Sequence, residues 1–199
     1  MWSSTKGRFT FRMEIRNVSA WPIEIVWENA QDLEHVAILH RRTNYGFELL
    51  DVQHARDGWA PYESMIFMVK RRLFGIIPIV NFGFRRIVGP HEIWQVDVNP
   101  TFDVSSALRS TFEPHPADPG KTVLVDRLEI TGPRVMRPFV RFFKAALRRH
   151  TRLQCLEDES FRARRFELRE RGINPPPSIL NQSLWERTFG RTGDDVSAH

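Results

Sequence analysis

The segment from Arg134 to Arg171 limits the fold more than any other part of the chain. Gly132-Pro133 precedes it and Asn174-Pro175-Pro176-Pro177 follows it, so breakers stand at both ends. Between them Phe139, Phe143, Ala146, His150, Leu153, Gln154, Phe161 and Leu168 fall near one helical stripe, with arginines on the other side. As one helix, these 38 residues would reach ~57 Å at a rise of ~1.5 Å per residue. That is too long for a small domain, so a bend or an overhang is expected. Gly172 is placed to cap the helix end.

What comes before has a different period. Phe9–Val18 alternates apolar and polar residues, as a half-buried strand does. Ser19-Ala-Trp21-Pro22 then opens a helix, with Ser19 as cap and Ile23, Val26 and Trp27 on its buried face. From Tyr45 to about Ile130 short strands are expected at 47–53, 62–70, 76–80, 82–88, 92–98, 103–112 and 122–130, with a turn at Asn81. The 62–70 strand is almost continuously apolar, so both of its faces should be covered. The prolines and glycine of 114–120 mark a hairpin loop. Connections this short suit an antiparallel meander.

The organisation expected is a loose start over 1–8, one domain over 9–172 and a proline-containing tail over 173–199. Fifteen phenylalanines and six tryptophans suit a roomy apolar interior or a cavity for a hydrophobic ligand, and equally a filled core. A net charge of +5 permits an acidic partner or surface without identifying one. No zinc-finger spacing or RNA-recognition signature is present, so nucleic acid is not expected as a partner. The single cysteine, Cys155, excludes an internal disulfide and any cysteine-rich cluster. With no long apolar run and no basic-then-apolar leader, no membrane span is expected and cytoplasmic placement is the default.

One stretch carries chemistry. It reads Asn29-Ala-Gln-Asp32-Leu-Glu-His35-Val-Ala-Ile-Leu-His40-Arg-Arg-Thr43-Asn-Tyr-Gly46. On a straight helix His35 and His40 would point ~140° apart. They could share an ion only if the helix breaks between them, or if both lean into a pocket from its rim. Paired neutral imidazoles with an outer carboxylate are a common start to a metal site. Histidines near a helix end also cap carbonyls or sit on the surface.

The order Asn29-x-x-Asp32-x-x-His35-x4-His40, with Arg41-x-Thr43-x-x-Gly46, resembles the iron-binding segment of the catalytic domain of Rieske-type aromatic-ring-hydroxylating oxygenases. That resemblance implies a mononuclear Fe(II) held by His35, His40 and an aspartate of the last helix, where Asp158 of Leu156-Glu157-Asp158-Glu159 takes the role. It also implies Asp32 and Asn29 as outer residues around His35. Glu157 and His150, both on the helical stripe, stand as alternative third ligands. The bland alternative is that Glu157, Asp158 and Glu159 pair in water with Arg162, Arg164 or Arg165.

The order of elements is similar to the helix-grip fold of the START and polyketide-cyclase (SRPBCC) superfamily, to which those oxygenase domains belong. The expected class is α+β, with a curved antiparallel sheet around a long C-terminal helix and an internal hydrophobic cavity. One cysteine cannot hold a Rieske cluster, so an oxygenase of this kind would take electrons from a separate partner protein or from substrate, or do chemistry that needs none. Three functions follow: an iron-dependent oxidation of a hydrophobic substrate, a START-like carrier for a lipid or polyketide-like ligand, or a metal-free cyclase with His35 or His40 as base. Met65, Met68, Met136 and the phenylalanines read as core, His54, His91 and His115 as surface, and Cys155 as an ordinary thiol. The arginines of 141–171 read as a solvated helix face, or more sharply as a contact for an acidic partner or a membrane surface.

Overall fold

The computed structural model describes residues 7–32, 44–55, 60–73 and 77–173. Strand β1 (Arg8–Ser19) and helix α1 (Ile23–Gln31) are followed by β2 (Asn44–Gln53), β3 (Ser64–Leu73), β4 (Ile77–Gly89), β5 (Glu92–Asn99), β6 (Val104–His115) and β7 (Asp118–Pro133). A 3₁₀ turn, Arg134–Phe139, leads into α2 (Val140–Glu170). Among the described residues the strands form one antiparallel sheet in the order β1-β7-β6-β5-β4-β3-β2. The curved sheet and the long helix make a helix-grip fold.

Apolar alternation decides which face of the sheet meets the helix. Phe11, Met13 and Ile15 of β1 and Ile130 of β7 point inward, and Val140, Phe143 and Leu147 of α2 pack on them. A second core gathers Val26, Phe47, Tyr62, Met65, Phe67, Val69, Ile87, Ile93 and Phe112. Trp27 of α1 closes it, edge-on to Phe112 at 5.4 Å between ring centroids.

Four expectations change. Asn81 makes no turn: β4 runs unbroken through it, because Nδ2 of Asn99 donates to Asn81 Oδ1 at 2.7 Å and holds its side chain within the sheet. The outer face of β3 is open, with Ile66 42% exposed, because nothing described packs outside the sheet there. Ser19 caps no helix: it ends β1, its hydroxyl is spent on Glu159, and α1 starts after Pro22. The long helix breaks where Pro138 ends the 3₁₀ turn, leaving 31 residues, or ~46 Å. The most buried side of α2 passes through Arg162 and Arg165 rather than along the stripe counted from Phe139, and Phe139 and Leu153 are exposed. The far end closes as expected. Gly172 takes φ +75°, and Ile173 N–H reaches Leu168 O at 2.9 Å.

Candidate functional site

The same alternation lays a polar strip across the inward face of the middle strands. Inward residues are Leu124, Asp126 and Leu128 in β7, Leu108 and Ser110 in β6, Gln95 and Asp97 in β5, and Gly83 and Arg85 in β4. Register sets Ser110 beside Asp126 and Arg85 beside Gln95. Asp126, Ser110, Gln95, Asp97 and Arg85 are all half-buried, although α1 and α2 lie on this side of the sheet. The strip is thus covered by the helices without being sealed from solvent.

Its electrostatics are unusual for a sheet interior. Ser110 Oγ donates to Asp126 Oδ1 at 2.6 Å. Burial nevertheless pushes the Asp126 carboxyl pKa up, with Ser110 and the Arg85 guanidinium opposing. A raised carboxyl favours the fold below its unfolded pKa, and that contribution is lost as pH rises through the folded value. At neutral pH Asp126 therefore works against stability. Gln95 Nε2 donates to Asp97 Oδ2 at 2.9 Å. Arg85 Nη2 donates to Ala30 O of α1 at 2.8 Å.

Burial raises the pKa of the wholly enclosed Tyr62 phenol, with Arg85 opposing. It lowers that of Arg71, with Asp97 opposing. Tyr62 Oη, Arg85 Nε, Arg71 Nε and Asp97 Oδ1 are buried without a hydrogen-bond partner among the described residues. A buried polar atom left unserved costs ~1–3 kcal/mol.

A second cluster joins the two helices. Arg162 is 2% exposed. It donates from Nη2 to Asp158 Oδ2 at 3.0 Å and from Nη1 to Glu159 Oε1 at 2.9 Å. Trp21 Nε1 donates to the other Glu159 oxygen at 2.7 Å. Arg165 Nη2 donates to Asp32 Oδ2 at 2.6 Å, and Arg169 reaches Glu28. Asp158 and Glu159 do pair with an arginine, Arg162, but that guanidinium is buried rather than in water.

This places part of the sequence-predicted site. Asp158 lies on α2 with its Oδ1 buried and its Oδ2 toward Arg162. Asp32, at the end of α1, gives one oxygen to Arg165. Asn29 is 1% exposed, and its Oδ1 is buried without a partner among the described residues. Glu157 and His150 are half-buried on α2. His35 and His40 lie outside the described residues. Among the described residues no three His, Cys, Asp or Glu side chains gather as metal donors. Asp158 fits the carboxylate of a two-histidine site to this extent: one oxygen is turned from solvent, while the other already faces a cation.

Cys155 is placed on α2 among Arg162, Asp158, Asp126 and Glu159, and burial pushes its thiol up to about 12. The thiolate is the nucleophile, so this cysteine should be inert. Native protein at pH 8 should resist iodoacetamide, while denaturant should release one alkylated site per chain; labelling of the native form would contradict this placement.

No family model matches the sequence, and no curated protein resembles it. Solved structures do. The Zhui aromatase/cyclase from a Streptomyces species superposes with TM-score 0.62 at 13% identity, over 79% of this chain and 96% of that one. The chain has the START/SRPBCC-type fold. A START superfamily protein from Mycobacterium smegmatis gives TM-score 0.55 at 16% identity, over 75% and 94% of the two chains. Dicamba monooxygenase, solved with dicamba bound, gives 0.58 at 14% identity, over 86% of this helix-grip chain and 54% of its own.

The inward polar strip was not among the residues expected from sequence, yet a signal existed. Asp126 occupies the apolar phase Leu124-x-Asp126-x-Leu128-x-Ile130 of its strand, and Arg85 sits two residues from Ile87 in the same phase. A charge in the buried phase of a strand needs a reason. On the opposite face, a groove of about 590 Å³ crosses the outside of the sheet between Trp94, Val96, Arg109 and Arg127. It is open to water and bordered by the Arg109–Glu92 ion pair.

Proposed function

We propose that this helix-grip protein binds a hydrophobic small molecule with an acidic or enolic end, between the sheet and α2. One observation carries the reading: Arg85, half-buried on the inward face with its Nε unpartnered among the described residues, lies within electrostatic reach of both Asp126 and Tyr62. The apolar body of the guest would lie along Leu108 and Leu128. Its anionic oxygen would take the Arg85 guanidinium, while Asp126, with its raised pKa, is suited to lend or accept a proton. A carrier needs only the first arrangement, and a cyclase would use both groups. Solved neighbours named as an aromatase/cyclase and a START superfamily protein support a fold that hosts either.

The test is a titration with 2-naphthoate and, in parallel, the neutral alcohol 2-naphthylmethanol. The acid should bind more tightly, and Arg85→Met should weaken it by about 10- to 100-fold while leaving the alcohol unchanged. Equal loss of both ligands, or no preference for the acid, would count against the anchoring role.

A second reading is supported by the sequence order Asn29-x-x-Asp32-x-x-His35-x4-His40 and by the likeness to dicamba monooxygenase over 86% of this chain. In it His35, His40 and Asp158 hold Fe(II), which supplies oxygen activation when bound. The chain's own residues would orient a hydrophobic substrate, and electrons would come from a separate protein. Anaerobic reconstitution with Fe(II), followed by iron analysis of wild type and His35→Ala, decides this reading. One retained iron per chain, lost in the variant, supports it; no retained iron removes it.

A further inference from the structure

The two halves of the long helical segment treat their arginines differently. From Glu157 onward, cations and acids alternate and Arg162, Arg165 and Arg169 are paired. From Arg134 to Leu156 there are six arginines and Lys144 but no Asp or Glu. None of these seven cations has a carboxylate partner among the described residues; Lys144 lies over the Phe11 ring at 5.8 Å. Seven exceeds the whole chain's net charge of +5, so the remainder of the protein is slightly acidic. The positive excess is concentrated on this one segment.

The cations also share a face. At ~100° per residue, Arg141, Arg148, Arg149 and Arg152, all exposed, fall within a sector of ~100°. Leu156 lies inside that sector and Leu153 just beyond it. Val135, Phe139 and Leu156 are each more than half exposed. Apolar residues set among unpaired cations match the two-part chemistry of a membrane interface, where phosphates meet the charges and acyl chains receive the side chains. A nucleic-acid backbone would use the charges but leave Val135, Phe139 and Leu156 in water.

We propose that the exposed face of Arg134–Leu156 docks on an anionic lipid bilayer surface. The full chain should co-sediment with phosphatidylcholine vesicles containing one-third phosphatidylglycerol, and not with pure phosphatidylcholine vesicles. Since each cation near the surface contributes ~1 kcal/mol, the R141E/R148E/R152E triple variant should bind at least ~100-fold more weakly. Those side chains are exposed, and unchanged circular dichroism would verify that the variant is folded. Phe139→Ser should weaken vesicle binding severalfold while leaving retention on heparin unaltered. No binding to anionic vesicles would overturn the proposal, as would vesicle binding that is indifferent to the triple variant or to Phe139→Ser. Tight, salt-sensitive binding to RNA without vesicle binding would replace the bilayer with a nucleic acid.

Discussion

Replacing Arg165 by leucine should destabilise the protein by ~3 kcal/mol, which for a chain of this size lowers the melting temperature by roughly 6–12 °C. Arg165 and Asp32 are 7% and 5% exposed, and their side chains meet at 2.6 Å. Removing the guanidinium leaves the carboxylate in a place where water cannot fully hydrate it. The loss sits at the lower end of what broken buried pairs cost, because Asp32 keeps a further interaction and Glu28 keeps Arg169. The double variant Arg165→Leu/Asp32→Leu should recover most of the loss, since it removes the stranded charge along with the pair. Thermal unfolding of both variants checks this. A single variant as stable as wild type would show that the pair does not hold α1 against α2.

Gly83→Ala should be the most damaging small substitution in the sheet, at ~2–3 kcal/mol. A Cβ at Gly83 would stand 2.2 Å from Cζ of Phe67, well inside contact distance. The ring cannot simply step away: on its other side it stacks on Phe47, with centroids 5.4 Å apart, and it is 4% exposed. Glycine is required at this position by a neighbouring ring rather than by backbone conformation. Two controls isolate the cause. Gly89→Ala, where a Cβ meets nothing within 4 Å, should be close to neutral. Phe67→Leu should make Gly83→Ala cheaper than it is in wild type. Additive losses in that double variant, read from denaturant midpoints, would place the damage elsewhere.

The fold was legible because its two periods are clean. Alternation in Phe9–Val18 and Thr122–Ile130 gave strands that pair with each other in the sheet, and the arginine-rich stripe gave the long helix. Errors came where tertiary contacts outweighed local signals. Asn81 looks like a turn residue until Asn99 holds it. The apolar stripe misplaced the inner side of α2 because two arginines, Arg162 and Arg165, are buried there with acidic partners. The arginines of α2 read alike in sequence, yet Arg162 and Arg165 are buried while Arg148 and Arg149 face water. Only the acids brought by α1 and by α2 itself distinguish them. The candidate site was less legible. Resemblance directed attention to His35, His40 and Asp158, whereas Asp126, Ser110, Gln95 and Arg85 come from four separate strands and are neighbours only once the sheet is assembled.

The central claim is that the guest lies over the inward polar strip, and NMR during a 2-naphthoate titration tests it most directly. With backbone and arginine Nε resonances assigned, the account predicts that Ser110, Gln95, Asp126 and the Arg85 Nε–H shift together and saturate at one affinity. Shifts confined to Trp94, Val96 and Arg109 on the outer groove, or no saturable shift at the strip, would contradict it.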